Sequence, residues 1–124
     1  MKVKEKKIAI KSDEDVYKEV KRVWQAIEKD EDIDSHEGIY FKNMEVMKEV
    51  LTDERLKMIR TIKKDNPMSI NELARLLERD YRQTNEDVEY LAQMGLIEIE
   101  YSVPDNDKIV AHVSYDRILL EIPV

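Results

Sequence analysis

Between Thr52 and Val113 the chain is divided by caps and breakers so sharply that few arrangements accommodate it. Thr52 followed by Asp53 and Glu54 has the form of a helix start, with a hydroxyl cap and acids at the positive end of the helix dipole. Leu56, Ile59 and Ile62 mark the inner face of that helix, and Lys63 and Lys64 sit at its negative end, near which it stops. Asp65-Asn-Pro-Met is a turn, because Pro67 cannot extend the preceding helix. Ser69 caps a second, short helix with Glu72 in the capping-box position and Ile70, Leu73, Ala74 and Leu77 as its apolar face. Glu78-Arg-Asp80 is a tight turn, and a third helix runs from about Tyr81 to Met94, where Gly95 ends it. Leu96 to Val103 then alternates as a strand, Pro104-Asp-Asn-Asp107 reads as a hairpin tip, and Lys108 to Val113 as the return strand.

Helix, turn, short helix, tight turn, longer helix and hairpin follow in the order of a winged helix-turn-helix domain. Asn71-Glu-Leu-Ala-Arg-Leu-Leu and Asp87-Val-Glu-Tyr-Leu-Ala-Gln-Met-Gly-Leu-Ile resemble the corresponding stretches of ArsR- and MarR-like regulators. The likeness extends outward through Ile39-Tyr-Phe, Leu51-Thr-Asp-Glu-Arg-Leu, Arg79-Asp-Tyr, Glu86-Asp-Val and Tyr115-Asp-Arg-Ile. Over residues 35–122 the chain is similar to a prokaryotic, archaeal family of MarR-like DNA-binding proteins. The resemblance implies a mainly α fold with a small β-hairpin wing (α+β), a winged helix-turn-helix with an N-terminal strand–helix extension. Residues 52–124 would form that domain with a C-terminal strand, and residues 1–51 the extension. It also implies a dimeric, site-specific DNA-binding transcription regulator, a repressor, with double-stranded DNA as partner and no cofactor. Such motifs are more specific for the fold than for DNA binding.

The third helix decides what such a domain touches. With Thr84, Val88 and Leu91 turned inward, 100° per residue places Arg82, Glu86, Glu89, Tyr90 and Gln93 outward, with Gln83 and Asn85 on the flanks. Tyr81, Arg82, Gln83, Thr84 and Asn85 at its start are base-reading side chains, since Arg pairs with guanine edges and Gln or Asn with adenine. Ser69, Thr84, Arg75 and Arg79, with the first amides of the second and third helices, are candidate phosphate contacts. Lys108 is the only base at the hairpin tip, beside Asp105 and Asp107, whereas a minor-groove wing usually offers Arg or Lys.

Charge argues the other way. Lys and Arg number 21 against 28 Asp and Glu, so the net charge is −7, and polyanions bind basic surfaces. Residues 52–94 are nearly neutral, with 8 basic and 9 acidic side chains, but Glu86, Asp87 and Glu89 lie together on the third helix. This balance suits a second reading, a protein-interaction module such as an antitoxin that holds a basic protein partner and also binds its own operator.

Upstream, Val3 to Ile10 reads as a short strand. Ser12 with Asp13, Glu14 and Asp15 starts a helix reaching about Lys29. Val16, Val20, Val23 and Ile27 form one stripe on it, flanked by Tyr17 and by Trp24, the only tryptophan. That stripe has two covers available: its own domain, or a second copy meeting Val16, Val20, Trp24 and Ile27. Asp30, Asp32 and Asp34 match the first, third and fifth positions of a calcium loop, but Ser35 replaces the glycine and Phe41 the bidentate glutamate, so a linker is expected. Gly38 to Phe41 reads as a strand, and Met44, Met47 and Leu51 as a two-turn helix. The tail alternates through Ile118, Leu120 and Ile122 as a closing strand that pairs with the N-terminal one within the chain or across a dimer. Asp116 and Arg117 read as a surface pair.

Without cysteine, disulfides and thiolate chemistry are excluded, and no metal site is expected. His36 and His112 are the only histidines, and neither a glycine-rich phosphate loop nor a nucleophile elbow occurs. The expectation is that the chain is not an enzyme. No apolar run approaches the roughly 20 residues of a membrane span, and the first residues lead into no signal-peptide core, so a cytoplasmic location is expected.

Overall fold

Capping residues and apolar spacing become, among the described residues, five helices and two small sheets. A computed structural model describes residues 3–29, 38–101 and 109–124. In chain order the elements are β1 (Glu5–Ile10), α1 (Asp13–Glu28), β2 (Ile39–Phe41), α2 (Met44–Val50), α3 (Asp53–Asp65), α4 (Ile70–Leu77), α5 (Tyr81–Gln93), β3 (Glu98–Tyr101), β4 (Ile109–His112) and β5 (Arg117–Glu121). They fall into two compact units: one of Met1–Glu5 and Leu51–Arg117, the other of Lys6–Val50 and Ile118–Val124.

In the first unit, the Thr52 hydroxyl accepts the Arg55 amide (3.2 Å) and starts α3, with Met58, Ile59 and Ile62 buried. Asn66, in the left-handed region at φ 45°, ends it before Pro67. Ser69 then caps α4 by accepting the Glu72 amide (3.1 Å), while the Glu72 carboxylate reaches back to the Met68 amide (2.9 Å), one residue beyond the expected capping-box partner. Ile70, Leu73, Ala74 and Leu77 are buried, and α4 packs on α3 and α5, with Ala74 small enough for close approach. Glu78 adopts φ 53°, turning the chain sharply into α5. At the far end Gly95 at φ 83° closes α5 through a 3.0 Å bond to the Ala92 carbonyl, and the Leu96 amide reaches the Leu91 carbonyl at 2.9 Å. β3 and β4 pair antiparallel with Ile99 opposite Ala111, and β4 packs on α3 and α4. The expected hairpin tip, with Lys108, lies outside the described residues.

In the second unit β2, β1 and β5 form a three-stranded sheet in that order, with β1 and β2 parallel and Ile8, Ala9 and Ile10 opposite Ile39, Tyr40 and Phe41. The C-terminal strand therefore pairs with β1 within the chain. Ile8 and Phe41 are the buried anchors, and Val50 on α2 is buried too. Both partners of a capping box between Ser12 and Asp15 are present at the start of α1, and hydrogen bonds from Ser12 hold the Asp15 carboxyl below its usual pKa. No residue of α1 is fully buried: its half-covered line is Asp15, Glu19, Val23 and Ala26. Val16 (40% exposed), Val20 (49%), Trp24 (62%) and Ile27 (52%) face outward, so the described residues of the chain do not cover the stripe. The acidic segment 30–37, with its calcium-like spacing and His36, lies outside the described residues.

Candidate nucleic-acid interface

The start of α5 gathers most of the side chains selected from the sequence. The wheel holds: Thr84, Val88 and Leu91 are 0% exposed, which turns Arg82, Gln83, Glu86, Glu89, Tyr90 and Gln93 to solvent. Tyr81 is exposed, and the Arg82 side chain, 86% exposed, makes an ion pair with Glu86 one turn on (3.4 Å). Asn85 is half-buried; its amide reaches the Glu89 carboxylate at 3.5 Å, and its side-chain oxygen has no partner among the described residues. Arg75 is exposed on α4 with no ion pair among the described residues.

Two expected contacts are corrected. Thr84 cannot reach a ligand, because it is fully buried and its hydroxyl donates to the Asp80 carbonyl at 2.8 Å. Arg79 is also committed: its side chain is 20% exposed, 2.9 Å from Asp87 and 3.9 Å from Glu54. At each of the helix starts proposed for phosphate one amide already has an acceptor, the Asp80 carboxylate taking that of Arg82 (3.0 Å) and the Ser69 hydroxyl that of Glu72. Ser69 is thus a cap first.

Asp87, grouped with Glu86 and Glu89 as a source of repulsion on this helix, lies between Arg79 (2.9 Å) and Arg55 (3.3 Å), with 17% of its side chain exposed. Arg55 also stacks over the Tyr90 ring at 4.4 Å. Two guanidinium groups therefore neutralise one of the three acids and lock α5 against α3. A single sequence cannot reveal this, since Arg55 and Asp87 are 32 residues apart.

Other polar groups are paired locally. His112 lies 2.9 Å from Glu100 across the β3–β4 pair. Asp116 and Arg117 do not pair with each other: Asp116 takes the Lys4 amide (2.8 Å) and the Lys63 ammonium (3.3 Å), and Arg117 bonds Glu5. The bond from the Lys4 amide, aided by Lys63, holds the Asp116 carboxyl below its usual range. Burial pushes the Tyr115 phenol up to about 12, and its hydroxyl donates to the Leu96 carbonyl at 2.8 Å. In the second unit, Lys11 bonds Glu19 (2.5 Å) and lies 4.2 Å above the Tyr40 ring, at a cleft of about 390 Å³. Among the described residues no group of three potential metal ligands converges, and no helix is long and apolar enough to cross a membrane.

The chain belongs to the HVO_A0114 family, whose model matches residues 50–120, more than half of its length. Among solved structures it is similar to that of a MarR-like transcriptional regulator from Thermotoga maritima, at 13% identity and a TM-score of 0.45. The match covers 84% of this chain and 66% of that one, so the chain spans just under two thirds of that protein's length. No curated protein matches the sequence.

Proposed function

We propose that the chain is a site-specific, DNA-binding transcription regulator, a repressor, built as a winged helix-turn-helix and acting as a dimer without catalysis. One observation carries this reading. The first turn of α5 presents Tyr81, Arg82 and Gln83 to solvent, while the inner face of that helix is anchored on Thr84, Val88 and Leu91. A rigid helix with a donor-rich, exposed N-terminal turn suits a major groove. Arg75 supplies a phosphate contact, and β3–β4 with Lys108 supplies the wing. Neutralisation of Asp87 by Arg55 and Arg79 lowers the repulsion that the acids of α5 impose. The uncovered α1 stripe supports the dimer, in which two α5 helices would enter successive major grooves about 34 Å apart.

Fluorescence anisotropy tests this with duplex from the region upstream of the coding sequence, scrambled duplex as control, and a salt series. Binding to the upstream duplex alone, weakening steeply with salt, is the expected result. Arg82→Ala is expected to abolish that specificity while leaving Tm unchanged; specific affinity that survives the substitution overturns the role of α5.

Glu98 and Glu100, both exposed on β3, favour a second reading in which the surface holds a basic protein, as an antitoxin does. Absence of DNA binding at low salt, together with a co-purifying basic partner, would select it.

A further inference from the structure

β5 is an end strand: β1 lies on one side, and no strand pairs with its other edge among the described residues. An open edge presents a row of unpaired backbone donors and acceptors, and proteins usually blunt it with charge, proline or a covering element. Here the edge carries Leu119 (36% exposed), Leu120 (43%) and, just beyond, Ile122 (53%). Its only charges are Arg117 at the start and Glu121 at the end, and Pro123 follows where pairing must stop.

We propose that this edge pairs antiparallel with the same edge of a second copy, joining the two three-stranded sheets into one of six strands about a two-fold axis at Leu119. The inference rests on the dimer reading above and names the element that forms it. Charge placement selects the register. A two-fold axis through the edge requires paired residues to share a face, so the centre must fall on a residue. Centred on Leu119, Arg117 stands opposite Glu121 of the partner subunit, Ile118 opposite the partner's Leu120, and Leu119 opposite its own counterpart. Symmetry makes each ion pair twice. Centring on Ile118 instead sets Arg117 opposite leucine, and centring on Leu120 sets it opposite proline; neither compensates the charge. The intrachain bond from Arg117 to Glu5 does not prevent this, because one guanidinium has five N–H donors. Glu121 has no ion pair among the described residues.

The absence of cysteine gives a clean test. Sedimentation first establishes whether the protein is a dimer. In Leu119→Cys the two thiols would face each other across the axis, within the roughly 4.4–6.8 Å Cα separation a disulfide needs, and mild oxidation should give a thiol-reversible covalent dimer. In Ile122→Cys the thiols would lie about 20 Å apart, six residues along the strands, and should not link. Glu121→Arg replaces both ion pairs with like-charge pairs and should raise the dimer dissociation constant about tenfold or more without shifting the far-ultraviolet spectrum. In a protein that sediments as a dimer, failure of either the Leu119 cross-link or the Glu121 effect overturns the β5 pairing and leaves the dimer standing. Cross-linking of Trp24→Cys would then seat the dimer on α1. A monomer at every concentration overturns the dimer reading and this inference together, while the duplex experiment still judges DNA binding separately.

Discussion

Asp87 shows how one side chain changes the meaning of its helix. With two arginines around it, removing the carboxylate takes away the anion that lies 2.9 Å from one half-buried guanidinium and 3.3 Å from the other. Asp87→Ala is expected to lower stability by about 2 kcal/mol in urea titration, more than an exposed ion pair contributes. Glu86→Ala, which only frees the exposed Arg82, should change stability by less than about 0.5 kcal/mol and strengthen any duplex binding. Tyr115 makes a prediction in pH. Its phenol ionises at about 12 in the folded chain against an ordinary 10.0, so the folded state holds the proton more tightly. Its contribution is fully present below pH 10 and is lost as pH rises from there to about 12. Alkaline unfolding followed by circular dichroism should steepen across that window, and Tyr115→Phe should remove the steepening. Asp116 has the opposite sign: its carboxyl is depressed, so its contribution holds above the ordinary value of 3.8 and disappears as pH falls below it.

At the scale of elements, most helix ends were legible because caps are local chemistry. Ser12, Thr52 and Ser69 each accept an amide three residues on, and Gly95 takes the left-handed conformation that a side chain resists. Gly95→Ala should therefore cost about 1 kcal/mol and lower Tm by several degrees in calorimetry, with the α5 cap the first structure to loosen. The strands were less legible. β1 begins at Glu5 instead of Val3, β3 begins at Glu98 instead of Leu96, and β4 ends at His112 instead of Val113. A strand extends only as far as its neighbour offers partners, and a periodic sequence cannot state where that neighbour stops. The candidate site divides in the same way. Arg82 and Gln83 were readable from helix geometry, whereas Arg79 and Thr84 were drawn inward by Asp87, Glu54 and the Asp80 carbonyl.

For the whole molecule, α1 raises the largest question of stability. Val16, Val20, Trp24 and Ile27 lie outward while Asp15, Glu19, Val23 and Ala26 are half covered, so most of its apolar side chains face solvent instead of a core. Should the Leu119 cross-link fail in a protein that sediments as a dimer, this stripe is the remaining dimer face: Trp24 fluorescence should then shift to the red on dilution in step with sedimentation, and Val20→Asp should raise the dissociation constant without unfolding the chain.

The order of elements, the helix termini and the inner faces of α3, α4 and α5 follow from the primary structure, because caps, breakers and periodicity act over a few residues. Which polar groups are engaged depends on packing. Asp87 is neutralised by Arg55, 32 residues away, and Arg79 lies between Asp87 and Glu54, while Thr84 is fully buried and Arg82 stays exposed beside Glu86. The same is true of β5, whose pairing with β1 leaves one edge open. Long-range packing sets the exposure of each charge, and exposure decides whether that charge holds the fold or meets a partner.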